Sequence, residues 1–246
     1  MITMDQNSRV TMNFPHQETV LGVFVKHPEP GKVKSRLGVE IGYENAASLY
    51  EAFVADTIER FGHSADRLIL GYTPDNKTAL DWLLQQGSKE TVYWPQPDTD
   101  LGKRMANYFH FAFEQHETKS AILIGSDSPT LPVSYLEQAY EWLYSVDCVL
   151  GPSADGGYYL VGLSSPQPEM FEGIEWSSSS VLEKTVERIQ ELGLSMKLLP
   201  LWYDVDEMAN LRMLRGHLLA MKLSGRNNLP RRTEEWLANW SEASGD

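Results

Sequence analysis

The chain has 246 residues, 42% of them hydrophobic and 22% charged, which is the composition of a globular protein with a sizeable core. Its formal net charge of −13 argues against binding to nucleic acid or to an anionic membrane, because both are negatively charged themselves. The single cysteine, Cys148, excludes an internal disulfide and a four-cysteine zinc site.

The two ends of the chain are polar. The first nineteen residues lack the apolar run of about 7–15 residues that a signal peptide contains, and no apolar stretch approaches the roughly 18 residues of a membrane span. We therefore expect a cytoplasmic protein without a membrane span. Residues 1–18 are predicted to form a flexible leader, residues 19–225 one domain, and residues 226–246 a loose polar tail.

Predicted strands and helices alternate along the chain. Short β-branched apolar runs bounded by turn residues predict strands, and apolar residues at intervals of three to four predict helices. The strands are predicted at 19–26, 67–72, 91–94, 121–125, 147–152, 157–163 and 195–202. The helices are predicted at 43–61, 76–86, 101–116, 133–145, 178–193 and 206–223. This alternation predicts a single-domain, Rossmann-like three-layer α/β/α fold with a mostly parallel sheet.

A basic segment, VFVKHPEPGKVKSRL, contains the first predicted strand end. Its cations are Lys26, Lys32, Lys34 and Arg36. Two prolines and a glycine predict a loop rather than a helix, and Gly31 lets the backbone approach a ligand closely. Because ligands bind beyond the carboxyl ends of parallel strands, these cations suit the phosphate oxygens of a small anion. The alternative is a solvated basic turn.

Two acidic loops also follow predicted strands. In GSDSPTLP, Asp127 is either a ligand for a divalent cation such as Mg²⁺, which prefers one or two carboxylates, or part of an Asx turn. In YDVDE, an extended backbone places Asp204 and Asp206 on the same side, although either residue can also cap the following helix. Two aspartates from distant loops that meet at a metal ion are typical of phosphate chemistry.

Two further segments contribute candidate binding residues. In GPSADGGYYLVGL, Gly156 and Gly157 either permit close approach of a ligand or form a turn, and Asp155 either caps that turn or lies in the pocket. In DTDLGKRM, Lys103 and Arg104 stand at a helix start, where the helix dipole disfavours cations unless an anionic ligand is bound.

Five segments, in this order, resemble the motifs of a bacterial glycosyltransferase-A-like family related to the CofC-type guanylyltransferases, within the nucleotide-diphospho-sugar transferase superfamily. They are VKHPEPGKVKSRL, DLGKRM, GSDSPTLP, GPSADGGYYLVGL and DVDEMANL. The resemblance extends from about residue 20 to residue 215. The sequence departs from the family at Asn210, where a second acid is frequent, and at Pro97, where glycine is common.

The resemblance implies a metal-assisted site that grips a nucleotide, with Mg²⁺ or Mn²⁺ as the cofactor. It implies Asp127 and Asp206 as the metal ligands, and Lys34, Arg36 and Asp127 as the catalytic residues. The residues implied to bind nucleotide or substrate are Lys26, Gly31, Lys32, Ser35, Arg104, Asp155, Gly156 and Gly157.

Three functions are compatible with this site. The first is glycosyl transfer from a nucleotide sugar to a small-molecule acceptor, in which the cations stabilise a departing nucleoside diphosphate. The second is nucleotidyl transfer, in which a substrate phosphate attacks the α-phosphorus of a nucleoside triphosphate and pyrophosphate leaves. The third is nucleotide binding without catalysis. The usual description of the family that the chain resembles favours glycosyl transfer, which we rank narrowly first, whereas the Lys-Ser-Arg-Leu of the basic segment, similar to that of CofC-type proteins, slightly favours nucleotidyl transfer. We expect no nucleic-acid partner, and a homo-oligomer is compatible with the sequence.

Overall fold

Seven strands form one twisted sheet in the computed structural model, which describes residues 19–116 and 118–240. The strands are β1 (Thr19–Lys26), β2 (Arg67–Thr73), β3 (Val92–Pro95), β4 (Ser120–Ile124), β5 (Cys148–Pro152), β6 (Tyr158–Leu163) and β7 (Met196–Leu198). Their order is β3-β2-β1-β4-β6-β5-β7, and only β6 runs antiparallel to its neighbours. The predicted mostly parallel sheet is confirmed. The predicted leader lies outside the described residues.

Helices cover both faces of the sheet. They are α1 (Ser35–Ile41), α2 (Tyr43–Phe61), α3 (Lys77–Leu83), α4 (Leu101–His116), α5 (Val133–Leu143), α6 (Val181–Glu191), α7 (Met208–Leu223) and α8 (Arg231–Asn239). None of these described helices is long and apolar enough to cross a membrane.

The strand residues alternate between two cores. In β1, Leu21, Val23 and Val25 pack under α1, α2, α3, α5 and α7, whereas Val20 and Phe24 face α4 and α6. This alternation follows from the two-residue period of a strand, and a strand that is apolar on both faces must be covered on both. The predicted three-layer α/β/α arrangement is therefore confirmed.

The basic segment contains a helix that the sequence did not predict. Helix α1 begins at Ser35, directly after the turn formed by the two prolines and Gly31. Lys34 precedes it with a left-handed backbone (φ 45°, ψ 42°). The prolines keep only the first part of the segment out of a helix, because proline is excluded from helix interiors and not from the residues that precede a helix. The strand predicted at 195–202 is shorter in the structure, where β7 covers only Met196–Leu198. Pro200 lacks the N–H that would continue the pairing.

The predicted loose tail is wrong for the residues of α8. Asp56 of α2 is 1% exposed, and its carboxylate accepts hydrogen bonds from the backbone N–H groups of Arg232 (3.0 Å) and Thr233 (2.8 Å) and from Thr233 Oγ1 (2.6 Å). Burial raises the pKa of Asp56 although these donors oppose the shift. A polar segment thus becomes an ordered helix because a residue far away in the sequence satisfies its first donors.

Candidate functional site

Loops from four parts of the chain meet at the carboxyl edge of the parallel strands. They are the loop after β1, the loop after β4, the turn of the β5–β6 hairpin and the segment before α7. The backbone N–H of Val205 donates to the carbonyl oxygen of Asp127 at 3.0 Å, which joins the loop after β4 to the segment before α7. The predicted convergence of these loops follows from the parallel order of β1 and β4.

Lys34 lies at the centre of this edge. Its Nζ is 2.7 Å from Asp127 Oδ1 and 2.7 Å from Asp206 Oδ1, and its side chain is only 4% exposed. Burial alone would lower the pKa of Lys34, but the two carboxylates outweigh burial and raise it above its ordinary value. Lys34 is therefore a permanent cation that holds two carboxylates together.

The two carboxylates differ in their surroundings. Burial acts to raise the pKa of Asp206, but the charge of Lys34, its hydrogen bond and Arg36 bring it below its usual value. Oδ1 of Asp127 is buried, and the Lys34 ammonium at 2.7 Å is the contact that compensates its charge. The guanidinium of Arg36 is 2.8 Å from Glu207 Oε1 and 3.7 Å from Asp206 Oδ2, and it is largely exposed. The structure therefore brings together the three predicted catalytic residues and both predicted metal ligands.

Tyr50 fixes the strand ends on which this cluster stands. Its hydroxyl accepts a hydrogen bond from the backbone N–H of Lys26 at 3.0 Å and lies 2.9 Å from Ser126 Oγ. Ser126 Oγ in turn donates to the carbonyl oxygen of Phe24 at 3.1 Å. Burial raises the pKa of Tyr50 to about 12, so its hydroxyl stays protonated. Tyr50 of α2 thus connects the ends of β1 and β4 through hydrogen bonds.

Asp204 has a supporting position. Its Oδ1 accepts a hydrogen bond from Ser128 Oγ, and its Oδ2 accepts one from Ser153 Oγ at 2.7 Å. Its enclosed position and the charge of Asp127 raise the pKa of Asp204. Of the two aspartates in the YDVDE segment, Asp206 is the one that faces Asp127 across Lys34, whereas Asp204 joins the loop after β4 to the β5–β6 hairpin.

A cavity of about 490 Å³ adjoins the charged cluster. Its size is within the range of about 300–1,000 Å³ that small-molecule sites occupy. Arg36, Asp127, Asp155, Gly157 and Asp204 line it on the charged side. Its remaining walls come from the ends of β1, β4 and β6, the start of α4, and the segment before α6.

The segment Trp176–Ser179, which we call the cavity wall, was missed by sequence analysis. An ideal Cβ on Gly102 would lie 2.5 Å from Trp176 Nε1, and one on Gly156 would lie 2.1 Å from the carbonyl oxygen of Ser179. The glycines of the DLGKRM and ADGGY motifs therefore make room for the cavity wall, and Gly156 packs against protein backbone rather than against a ligand.

Other predicted binding residues lie apart from the cavity. Lys26, Gly31, Lys32 and Ser35 are exposed on the β1–α1 loop and do not line it. Arg104 donates from Nε to the carbonyl oxygen of Thr99 at 2.8 Å, and Lys103 Nζ lies 3.2 Å from Asp100 Oδ2. Asp100 also accepts a hydrogen bond from the backbone N–H of Lys103. The two cations at the start of α4 thus have partners within the protein and do not require an anionic ligand.

The donor set fits a divalent cation that shares its coordination with substrate. In the described residues, no group of three or more His, Cys, Asp or Glu side chains could hold a metal ion alone. Asp127 and Asp206 nevertheless each place a carboxylate oxygen 2.7 Å from one position, which is that of Lys34 Nζ. Mg²⁺ is commonly held by one or two carboxylates together with substrate phosphates and water. Lys34 Nζ occupies this position, so a metal ion would have to displace it.

Replacing Lys34 by methionine is expected to lower the free energy of unfolding by about 2 kcal/mol at neutral pH, because two facing carboxylates lose their counter-charge. The loss is smaller than for a fully buried pair, since the side chains of Asp127 and Asp206 are 40% and 33% exposed. The pKa of Asp206 is lower in the folded protein than in the unfolded chain, so this carboxylate adds to the free energy of unfolding at pH values above its unfolded-state pKa. This contribution is lost as the pH falls through the folded-state pKa. The effect of the substitution should therefore shrink in acid.

Urea unfolding at a series of pH values measures this effect. Lys77 forms an exposed ion pair with Asp81, so Lys77→Met is a matched control and should change stability by less than about 0.5 kcal/mol. Equal losses in the two variants, or a loss for Lys34→Met that does not depend on pH, would contradict the prediction.

Comparison with known proteins relates this chain to a bacterial protein family and to a solved structure. A family model described as "uncharacterized protein conserved in bacteria" (DUF2064) matches residues 57–178. A crystal structure from Desulfovibrio desulfuricans G20, named as a candidate nucleotide-diphospho-sugar transferase, is 33% identical, and the match covers 91% of this chain and 95% of that one with a TM-score of 0.82. A search among curated proteins finds no match.

More distant structures share the fold alone. The 4-diphosphocytidyl-2C-methyl-D-erythritol synthase from Anaerococcus prevotii DSM 20548 is 10% identical, with a TM-score of 0.54, over 82% of this chain and 99% of that one. The CMP:2-keto-3-deoxy-manno-octonic acid synthetase, solved with CTP, is 12% identical, with a TM-score of 0.50, over 83% of this chain and 99% of that one.

Proposed function

This chain belongs to the bacterial DUF2064 family, which has the nucleotide-diphospho-sugar transferase fold, and we propose that it transfers a sugar from a nucleotide sugar to a small-molecule acceptor. The observation that carries the proposal is the convergence of Asp127 and Asp206 on one cationic position, beside a cavity at the carboxyl edge of the sheet. The name given to the Desulfovibrio relative supports the sugar donor.

The charged cluster suits a leaving nucleoside diphosphate. Arg36 is exposed beside Asp206 and offers a planar donor group to phosphate oxygens. Lys34 supplies a second positive charge at a position from which water is largely excluded. A divalent cation bound by Asp127 and Asp206 would take the place of the Lys34 ammonium between them and would itself neutralise phosphate charge. Catalysis by this chain then consists mainly of positioning and charge stabilisation.

Nucleotidyl transfer is the second candidate, and the exposed cations of the β1–α1 loop favour it. Lys26 and Lys32 are exposed and lie outside the cavity, where they can meet phosphate groups beyond those of a diphosphate. A non-catalytic binding protein is the weakest candidate, because the similar structures described above are named as enzymes: a transferase, a synthetase and a synthase.

A thermal-shift screen tests these candidates. The purified chain is heated with nucleotide sugars, nucleoside diphosphates or nucleoside triphosphates, each with and without Mn²⁺. A ligand at 100 times its dissociation constant stabilises the native state by about 2.7 kcal/mol, which raises Tm by roughly 5–10 °C for a domain of this size. We expect the largest shift from one nucleotide sugar with Mn²⁺. Stabilisation by a triphosphate alone would favour nucleotidyl transfer, and no shift with any nucleotide would overturn both.

A further inference from the structure

The cavity wall is a fixed structure. The backbone N–H of Leu182 donates to the carbonyl oxygen of Gly156 at 2.8 Å, and Ser178 Oγ donates to the carbonyl oxygen of Glu175 at 2.8 Å. Ser177 adopts φ 72°, a conformation that residues other than glycine rarely adopt and that persists only where surrounding contacts impose it. Together with the close approaches of Gly102 and Gly156, these contacts give the wall one position in the cavity.

The cavity wall carries hydrogen-bonding groups and an aromatic surface but no charge. Ser177 and Ser179 are exposed, and their hydroxyls form no hydrogen bond with another residue in the part of the chain that the structure describes. Trp176 stands beside them, and Leu101 and Met105 of α4 add apolar surface. Hydroxyl groups next to an aromatic face suit a compound that itself carries several hydroxyls and an apolar C–H face.

The distribution of charge argues against an anionic acceptor at this wall. Among the described residues, Arg36 is the only cation that lines the cavity, and it is engaged by Glu207 and Asp206 on the α1–α7 side. An anionic group at the wall would therefore lack a counter-charge and would also meet the carboxylate of Asp155, which lines the same cavity.

Asp155 is positioned between the wall and the charged cluster. Its Oδ1 accepts a hydrogen bond from the backbone N–H of Gly157 at 3.0 Å, which orients the carboxylate. The neighbouring Gly156 is packed against Ser179, so the hairpin that carries Asp155 is attached to the cavity wall. The hydrogen bond with Glu207 and the charge of Asp206 raise the pKa of Arg36 most, and the nearby charge of Asp155 acts in the same direction. A hydroxyl group bound at the wall would thus lie near a carboxylate that faces the phosphate-binding side.

We propose that Trp176, Ser177 and Ser179 bind an uncharged, polyhydroxylated acceptor, and that Asp155 is the catalytic base. This inference rests on the proposed glycosyl transfer. The acceptor oxygen attacks the anomeric carbon of the donor sugar, and the bond from that carbon to the phosphate oxygen breaks. The nucleoside diphosphate leaves with the electron pair, and the proton of the acceptor hydroxyl moves to Asp155.

Saturation-transfer NMR tests the acceptor class directly. The probes are an equimolar pool of methyl glycosides and glycerol, and a pool of the corresponding sugar phosphates and glycerol 3-phosphate, each with Mg²⁺ and a nucleoside diphosphate. We expect the neutral pool to receive at least three times the saturation of the phosphorylated pool. The Ser177→Ala/Ser179→Ala variant should lose this signal, and Ser64→Ala, outside the cavity, should keep it. The two wall serines are exposed, so the variant should fold.

The outcomes separate this inference from the proposed function. Calorimetric titration with UDP, GDP, ADP, CDP and dTDP reports nucleotide binding in the same variants. When a nucleotide binds the wild type, three results would overturn the acceptor class while the proposed function stands. They are a preference for the phosphorylated pool, no binding of either pool, and a serine variant that retains the signal. If the serine variant loses affinity for the nucleotide, the cavity wall binds the nucleoside rather than the acceptor, and the inferred acceptor site is overturned as well. No nucleotide binding in the wild type would overturn both.

The role of Asp155 has its own test. A pool of nucleotide sugars and neutral acceptors is incubated with enzyme, and the product is followed by mass spectrometry. Asp155→Asn should lower the rate of product formation about 100-fold or more, the range for loss of a general base, while the saturation of the neutral probes stays within about twofold of wild type. A rate equal to that of the wild type, or loss of probe binding together with rate, would remove Asp155 as the base.

Discussion

Asp127→Asn is expected to remove the metal-dependent part of nucleotide binding. Asparagine keeps the shape of the side chain but lacks the charge that pairs with a divalent cation, and Asp127 is one of the two carboxylates that lie 2.7 Å from Lys34 Nζ. If Mn²⁺ strengthens nucleotide binding 100-fold in the wild type, which corresponds to about 2.7 kcal/mol, the variant should show no such gain. Calorimetric titration with and without Mn²⁺ measures the difference.

Asp155→Asn is the matched control for this experiment. Asp155 lines the same cavity but does not contact Lys34, so its replacement should leave the gain from Mn²⁺ intact. Circular dichroism should show an unchanged fold for Asp127→Asn, because the bond between Asp127 and Val205 uses main-chain atoms. Persistence of the Mn²⁺ effect in Asp127→Asn would show that this residue is not a metal ligand.

Gly156→Ala is expected to lower the free energy of unfolding by about 4 kcal/mol. Two effects add: a positive φ of 93° disfavours any residue with a Cβ by about 1–2 kcal/mol, and overpacking adds about 1–3 kcal/mol. The clash is severe because the new Cβ would lie 2.1 Å from a backbone oxygen of Ser179, which cannot rotate away as a side chain could. Chemical unfolding monitored by tryptophan fluorescence measures the loss.

Gly173→Ala separates these two effects. Gly173 has a similar positive φ of 73°, but a Cβ built there meets nothing within 4 Å. Its replacement should therefore cost only the backbone term of about 1–2 kcal/mol. Equal destabilisation of the two variants would show that Gly156 does not depend on its contact with Ser179, and the cavity wall would then not be fixed in the way described.

Most of the fold could be predicted because its signals are local. The predicted bounds of β1, α2 and α4 coincide with those observed, since continuous apolar runs and helical periodicity are read within one element. The elements that were missed depend on other kinds of information. Helix α1 is short and follows prolines, and α8 needs the distant carboxylate of Asp56 to satisfy its first N–H groups. Asn210, a departure from the family pattern, accepts hydrogen bonds from the backbone that begins α7, as a capping residue does.

The candidate site was predictable where it lies at strand ends. Lys34, Asp127 and Asp206 follow from the rule that parallel strands present their loops at one edge, combined with motifs that resemble a known family. The cavity wall was not predictable, because its place in the site depends on Gly102 and Gly156, which are distant from it in the sequence. Glycine in a motif suggested contact with a ligand, whereas at these positions it permits contact between two parts of the protein.

The hydrogen bonds of Asp204 have a consequence for how this fold can change its substrates. Asp204 joins Ser128 and Ser153, so the spacing between the loop after β4 and the β5–β6 hairpin is set in part by contacts that do not involve residues 176–179. Substitutions in segment 176–179 that keep the backbone contact of Ser179 with Gly156 should therefore leave these loops in place. Under the acceptor role that we propose for this segment, acceptor preference can change while the transfer chemistry is kept, and libraries randomised within residues 176–179, with the two supporting glycines kept, would test this separation.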